Sequence, residues 1–188
     1  MIRSSFLSLA LLAAQCASPF AFAHDQHAHL APWEEASHWP DRVIVNPAVD
    51  PQTSFSVTWR TDGTVSSAVA QLVEASGDSR FDARATTFGA KFEQVDLENA
   101  RTSDGYNGSV NLGRGTINQF SVTFADLKPD TLYAYRVRGA RGHWSEWFQT
   151  RTAPAEGPIT FQYFGDAQYG IRSHASRIFR QALLDAPN

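Results

Sequence analysis

The residue best placed to do chemistry is Asp166, in the stretch FQYFGDAQYG at residues 161–170. The apolar run from Ile159 to Phe164 predicts a strand, and Gly165 allows close approach of backbone or ligand where that strand ends. In open α/β sheets, ligands bind beyond the carboxyl ends of strands. A carboxylate in that place suits a hard or borderline metal ion. Asp166 is therefore a candidate metal ligand, and the alternative is that Gly-Asp only ends a strand.

A helix is predicted directly after the loop that carries Asp166. Ser173 is its predicted N-cap, and Asp185-Ala186-Pro187 ends it. The apolar residues at helical spacing are Ile171, Ala175, Ile178, Phe179, Ala182, Leu183 and Ala186. Strand, loop and helix form the first unit of an α/β domain. About thirty residues bury too little apolar surface to fold alone, so we expect the sequence to be the front end of a longer protein. The alternative is a tail that packs on the preceding domain.

The segments before this unit predict an antiparallel β-sandwich. Strand-like runs occur at 42–45, 54–60, 67–75, 81–92, 117–124, 131–139 and 145–152, separated by turn-forming residues. In the clearest runs the apolar residues alternate with Ser and Thr, as in Phe55, Val57 and Trp59. About seven short strands with one apolar face each predict two sheets packed face to face. The 81–92 stretch is the least regular of these runs.

The run LKPDTLYAYRV at 127–137 predicts a corner in which a tyrosine hydroxyl ties a turn to the strand that follows. Tyr133, Tyr135 and Val137 share one face of that strand. Together with Trp59 and the lack of a cysteine pair, this pattern resembles a fibronectin type III sandwich over residues 41–153. The predicted fold class is thus mainly β: a fibronectin type III-like sandwich followed by the first β-α unit of an incomplete α/β domain.

The first 23 residues predict a secretory signal peptide. Arg3 precedes an apolar core, and Ala21-Phe22-Ala23 fits the site that signal peptidase cuts. The core is too short for a membrane anchor, and the one cysteine, Cys16, lies inside the signal. The predicted order is signal peptide 1–23, mobile leader 24–40, sandwich 41–153, linker 154–158 and truncated α/β domain 159–188. A formal net charge of −3 argues against a nucleic-acid or anionic-membrane partner.

The succession of these motifs resembles the purple acid phosphatase family of metallophosphoesterases, in particular its secreted bacterial members. The stretches that carry the resemblance are PDRVIVNP (40–47), SVTWRTD (56–62), LKPDTLYAYRV (127–137), WSEWFQTRT (144–152) and FGDAQ (164–168). The resemblance covers nearly the whole chain after Pro40. Each motif alone is modest, and their order is much more specific.

The resemblance implies a calcineurin-like catalytic domain with a dinuclear metal centre, typically ferric iron beside zinc, manganese or ferrous iron. Asp166 matches the family's first metal-ligating aspartate, and the other ligands would follow Asn188. Gln168 replaces the His of the Asp-x-His pattern, which leaves open whether it contacts metal or orients a substrate oxygen. The implied function is a secreted acid phosphatase-type hydrolase of phosphate esters. We expect no catalytic residue within this chain, no turnover from it alone, and a sandwich that braces the catalytic domain, shapes substrate access or forms a homodimer.

For other residues that could bind a metal or a ligand, a role without such binding is the preferred interpretation. His24, His27 and His29 could hold copper at a mature N-terminus, but a His-rich leader is the preferred interpretation. His143 and His174 are expected on the surface. Packing explains Trp144 and Trp147 better than a sugar-stacking face. Asn107-Gly108-Ser109 fits a glycosylation acceptor, although Asn-Gly is first a turn former. The second functional hypothesis is a secreted binding or adhesion module without catalysis.

Overall fold

The structure is a computed structural model that describes residues 35–97, 115–165 and 171–185. The predicted signal peptide, the histidines at 24, 27 and 29, and the Asn107-Gly108-Ser109 sequence lie outside these residues. Asp166 and Gln168 also lie outside them. No helix in the described ranges is long and apolar enough to cross a membrane.

Two antiparallel four-stranded sheets pack face to face, which confirms the predicted sandwich. The first sheet has the order β1-β2-β6-β5 and the second has the order β4-β3-β7-β8. The strands are β1 (Asp41–Pro47), β2 (Phe55–Asp62), β3 (Val69–Glu74), β4 (Thr86–Gly89), β5 (Lys91–Asp96), β6 (Thr116–Phe124), β7 (Leu132–Val137) and β8 (Phe148–Arg151).

The core lies between the sheets and follows the alternation seen in the sequence. Trp59 on β2 is fully buried and stacks on Phe120 of β6, its register partner, with ring centroids 5.5 Å apart. Phe55, Val57, Val122 and Phe124 extend the same face. Burying these side chains stabilises the fold by about 1.5–3 kcal/mol each. The long β2–β6 pairing is therefore the centre of the first sheet.

The irregular stretch at 81–92 divides into three elements, so the described residues contain eight strands where the sequence predicted about seven. A 3-10 turn at Phe81–Arg84 comes first, then β4 joins the second sheet and β5 joins the first. The chain changes sheets at Ala90, whose N–H donates to the carbonyl of Ala68. This change of sheet after four residues shifts the alternation, which is why no single period fits the stretch.

The predicted corner is confirmed and belongs to Tyr133. Its hydroxyl accepts the backbone N–H of Lys128 at 3.0 Å, across the turn between β6 and β7. The Tyr133 ring is buried and lies 6.4 Å from Phe55 of the first sheet. One side chain thus fixes the turn and fills the core.

The predicted strand at Ile159–Phe164 is not a strand in the structure. The segment is irregular and exposed, because no other described strand pairs with it and an unpaired strand has no ladder hydrogen bonds. The predicted helix does form, as α1 (Ser176–Asp185), preceded by a π-helical turn at Ile171–Ala175. Ser173 lies inside that turn with its hydroxyl 3.0 Å from His174 Nδ1, and regular helix begins at Ser176, two residues later than the predicted cap implies.

Candidate functional site

The segment before Asp166 and the helix after it pack on one another. Phe164 meets Phe179 of α1 edge to face, with ring centroids 4.9 Å apart. Gln162 Nε2 donates to the carbonyl of Ala182 at 2.9 Å. The segment that ends at Gly165 and α1 therefore lie side by side. Residues 166–170, which include Asp166, connect them in the sequence.

The other apolar faces of this C-terminal unit are uncovered. The side chains concerned are Ile159, Phe161 and Tyr163 on the segment and Ile178, Leu183 and Leu184 on α1, all at least 59% exposed. Gln162 and Phe164 contact α1, whereas the side chains of Phe161 and Tyr163 are exposed. Six exposed large side chains in so short a unit form an unusually apolar surface.

The described residues do not themselves form a metal centre. Across 35–97, 115–165 and 171–185, no group of three His, Cys, Asp or Glu side chains could hold a metal ion. His174 is exposed beside α1, as the sequence predicted. This donor set does not fit a dinuclear centre, and Asp166 and Gln168 stay sequence predictions.

The end of the sandwich from which the chain leaves is held by a set of hydrogen bonds. We call this region the exit end: the loop 48–53, the turn 125–131 and residues 152–155. Thr152 is buried, and its hydroxyl donates to the carbonyl of Lys128 at 2.6 Å while accepting the N–H of Thr131 at 3.0 Å. The N–H of Leu127 donates to the carbonyl of Thr53. These bonds join the end of β8 to both neighbouring loops.

Trp144 and Trp147 lie on the outer face of the second sheet and not in the core. The guanidinium of Arg136 lies between them, 4.4 Å from the centre of the Trp144 ring and 4.5 Å from that of Trp147. The guanidinium of Arg138 lies 5.6 Å from the centre of the Trp144 ring, and Phe81 meets Trp147 edge to face. We call these five residues the cation–π stack. Because Arg136 covers one face of each ring, the sugar-stacking interpretation is disfavoured.

The sequence carries a signal for the stack. Arg136, on β7, and Arg138, just after that strand, are two residues apart, which predicts one shared face beside the two tryptophans that follow. Gln71 on β3 accepts the Nε–H of Arg136 at 2.8 Å and orients the guanidinium. Burial lowers the pKa of Arg136, and the charge of Asp82 opposes that shift.

His143 is half-buried and is not only a surface decoration. Its ring lies 4.5 Å from the rings of both His38 and Trp39, edge to face. The β7–β8 loop that carries His143 also binds the residues before β1, since the N–H of Ala140 donates to the carbonyl of His38. A Cβ on Gly139 would lie 2.2 Å from that carbonyl oxygen, so this contact requires glycine. The residues before β1 are thus fixed on the β7–β8 connection.

Two further pKa shifts occur within the sandwich. Burial raises the pKa of Tyr135, which is 4% exposed. A hydrogen bond and the charge of Glu74 raise the pKa of Lys128, whose amine lies 2.8 Å from the Glu74 carboxylate on the surface. Neither group has the environment of a catalytic acid or base, because Tyr135 faces the apolar core and the Lys128 pair is solvent-exposed.

The sheet order and the tyrosine corner define a fibronectin type III-like sandwich. A family model described as the N-terminal domain of purple acid phosphatase matches residues 40–152 of the sequence. That match covers more than half of the chain, so the chain belongs to the family of the purple acid phosphatase N-terminal domain. The resemblance drawn from the sequence is confirmed for this domain.

Solved structures with similar folds include two of particular relevance. The fn3 domain of human contactin 1 is 20% identical over 71% of this chain and 96% of its own, with a TM-score of 0.39. Purple acid phosphatase PPD1 from yellow lupin (Lupinus luteus) seeds is 16% identical over 65% of this chain, with a TM-score of 0.43. The match covers only 21% of the lupin chain. No curated protein sequence matches this chain significantly.

Proposed function

We propose that this chain is the N-terminal part of an exported, metal-dependent phosphoesterase of the purple acid phosphatase type. The observation that carries the proposal is the family match over residues 40–152, followed at once by a linker and a segment-loop-helix unit with Gly165-Asp166 at its turn. The uncovered faces of that unit support a larger α/β domain that continues beyond it. The predicted signal peptide at 1–23 supports export.

Asp166 is the proposed first ligand of a dinuclear centre, with iron beside zinc, manganese or a second iron. The remaining ligands would come from polypeptide after Asn188, since the described residues supply no three-donor group. Such a centre supplies Lewis-acid activation of water for attack on a phosphate ester. Gln168, two residues on, is proposed to orient a substrate oxygen or to lie beside the metal.

The experiment is a phosphatase assay on the gene product extended past residue 188, purified after export. We expect hydrolysis of a phosphate monoester that is lost on chelation and restored by added metal. Asp166→Ala should lower activity by about 100-fold or more, because losing one ligand removes more affinity than losing its supporting contacts. Glu156→Ala, an exposed carboxylate in the linker, is the matched control and should keep full activity.

The alternative is a binding module without catalysis, and it predicts a different result. An extended product that folds, shows no metal-dependent turnover and responds equally to Asp166→Ala and Glu156→Ala would refute the phosphoesterase. A downstream sequence without a second Gly-Asp block and a Gly-Asn-His motif would refute it as well.

A further inference from the structure

The first residues of the linker are held against the sandwich by the exit end. The N–H of Ala153 donates to the carbonyl of Pro51 at 2.9 Å, and the carbonyl of Ala153 accepts the N–H of Asp130 at 3.1 Å. Gln52 Nε2 donates to the carbonyl of Ala155 at 3.4 Å. The linker therefore leaves the sandwich in a fixed direction, although its sequence alone predicts only a stiff connection.

The loop that holds the linker is itself fixed by its own side chains. The Asp50 carboxylate accepts the N–H of Gln52 at 3.1 Å and the hydroxyl of Thr53 at 2.6 Å. Ser54 donates its hydroxyl to the carbonyl of Asp50 at 2.6 Å. A loop organised in this way loses little conformational freedom when another surface packs on it.

An apolar surface adjoins this loop at the exit end. A groove of about 380 Å³ lies between β1 and the end of β8, and its lining includes Val45, Pro47, Pro51 and Phe55. Val49 lies in the neighbouring loop and is fully exposed. Ile159, the first apolar residue after the linker, also lines the groove. The chain that leaves the sandwich is therefore already in contact with this surface.

We propose that the groove and the loop 48–53 dock the domain that begins at Ile159, so that sandwich and catalytic domain move as one body. The short covalent connection identifies the occupant of the groove. Ala155 is the last linker residue that is hydrogen-bonded to the sandwich, and Ile159, four residues later, lines the groove. A tether this short gives the following domain a far higher effective concentration at the groove than any separate molecule would have.

This inference rests on the proposed function only in requiring a folded domain after residue 159. It does not require a metal or phosphatase activity. A docked arrangement gives the sandwich a physical role, because the linker bonds and the groove together would fix the position of the loop carrying Asp166 relative to β1 and β8.

The test compares backbone hydrogen exchange in this chain and in the product extended past residue 188. We expect the amides of residues 46–53 to exchange roughly tenfold more slowly in the extended protein, since docking covers their loop. Val49→Asp should abolish that added protection by placing a charge in the interface. It should leave the exchange of the shorter chain unchanged because Val49 touches solvent there.

Ser79→Asp is the matched control, an exposed position in the loop after β3 of the other sheet, and should keep the protection. Equal exchange at 46–53 in both proteins would overturn the docking proposal, and so would a reading frame that ends at Asn188. Protection that rises with protein concentration would assign the groove to a second copy. Phosphatase activity is measured separately, so an inactive but protected protein would refute the proposed function and leave the docking intact.

Discussion

Arg136 shows how one side chain organises a surface that the hydrophobic core does not reach. Its guanidinium lies between Trp144 and Trp147 while Gln71 orients its Nε. Arginine suits this position because its planar, weakly hydrated group stacks on aromatic faces and still donates in its own plane. The contacts connect β7 to the residues just before β8, and through Phe81 to the 3-10 turn.

We predict that Arg136→Ala lowers the free energy of unfolding by about 2 kcal/mol, since it removes two cation–π contacts and one hydrogen bond. Arg136→Lys should recover only part of this, because an ammonium cannot cover both rings and donate to Gln71. Urea denaturation monitored by tryptophan fluorescence measures the loss. Arg141→Ala, an exposed arginine in the adjacent loop, should stay within about 0.5 kcal/mol of the parent. Equal effects of Arg136→Ala and Arg141→Ala would show that the stack contributes nothing.

The raised pKa of Tyr135 predicts how the free energy of unfolding changes with pH in the alkaline range. Burial raises its pKa above the ordinary 10.0, so the folded state holds the phenolic proton more tightly than the unfolded chain does. Its contribution is complete below pH 10.0 and is lost as the pH rises through the folded value. Tyr135→Phe has no proton to lose. The stability of Tyr135→Phe relative to the parent should therefore increase from pH 9 to about pH 11 in urea titrations.

The matched control for that titration is Tyr163→Phe, because Tyr163 is 86% exposed. Its pH profile should follow that of the parent. A parent and a Tyr135→Phe variant whose stabilities fall in parallel above pH 10 would contradict the assignment.

At the scale of elements, the sequence predicted the strands of the sandwich. It failed at residues 159–164, where strand formation depends on a pairing partner. Phe55, Val57 and Trp59 occupy alternate positions of β2, which lies inside the first sheet. The apolar alternation in the sequence therefore agrees with the burial of these side chains. The 159–164 segment has an equally good apolar composition, yet it is not a strand, since strand formation needs a partner edge that composition does not supply. Arg136 was missed for a related reason: Trp144 and Trp147 follow closely in sequence, but the pairing of Arg138 with Trp144 is what brings them back beside β7.

The connection between β8 and the turn before β7 gives a prediction at this scale. Thr152 is 3% exposed, and its hydroxyl both accepts from Thr131 and donates to Lys128. Thr152→Val keeps the shape and removes both bonds, leaving a buried N–H without its acceptor. We expect a loss of about 1.5–3 kcal/mol in the free energy of unfolding.

Hydrogen exchange checks that this loss is local in origin. The amides of Thr131 and Ala153 should exchange faster in Thr152→Val, while those of β2 change only by the global loss of stability. Thr123→Val, an exposed β6 threonine bonded to Ser56 across the strands, is the control and should cost under about 1 kcal/mol. A Thr152→Val protein as stable as the parent would show that the exit end does not depend on this hydroxyl.

At the scale of the whole molecule, the sandwich and the C-terminal unit are unequal. The sandwich has a core enclosed by two sheets and a tyrosine corner, and the residues before β1 are bound to the β7–β8 connection. In the described residues α1 packs on the segment at 162–164 and the π-helical turn, and Ile159 is the residue of this unit that lines the groove of the sandwich. This difference explains why the fold of residues 41–151 followed from the sequence while the predicted strand at 159–164 did not form.

Removing residues 158–188 should therefore leave the sandwich intact. We predict a change in the free energy of unfolding of less than about 0.5 kcal/mol, because only Ile159 leaves the groove and its side chain is already 60% exposed. The shortened chain should also bind less of a hydrophobic dye, since six exposed apolar side chains are lost. Urea denaturation and dye fluorescence of the two proteins give the comparison. A loss of several kcal/mol would instead show that the C-terminal unit packs on the sandwich as an integral part of it.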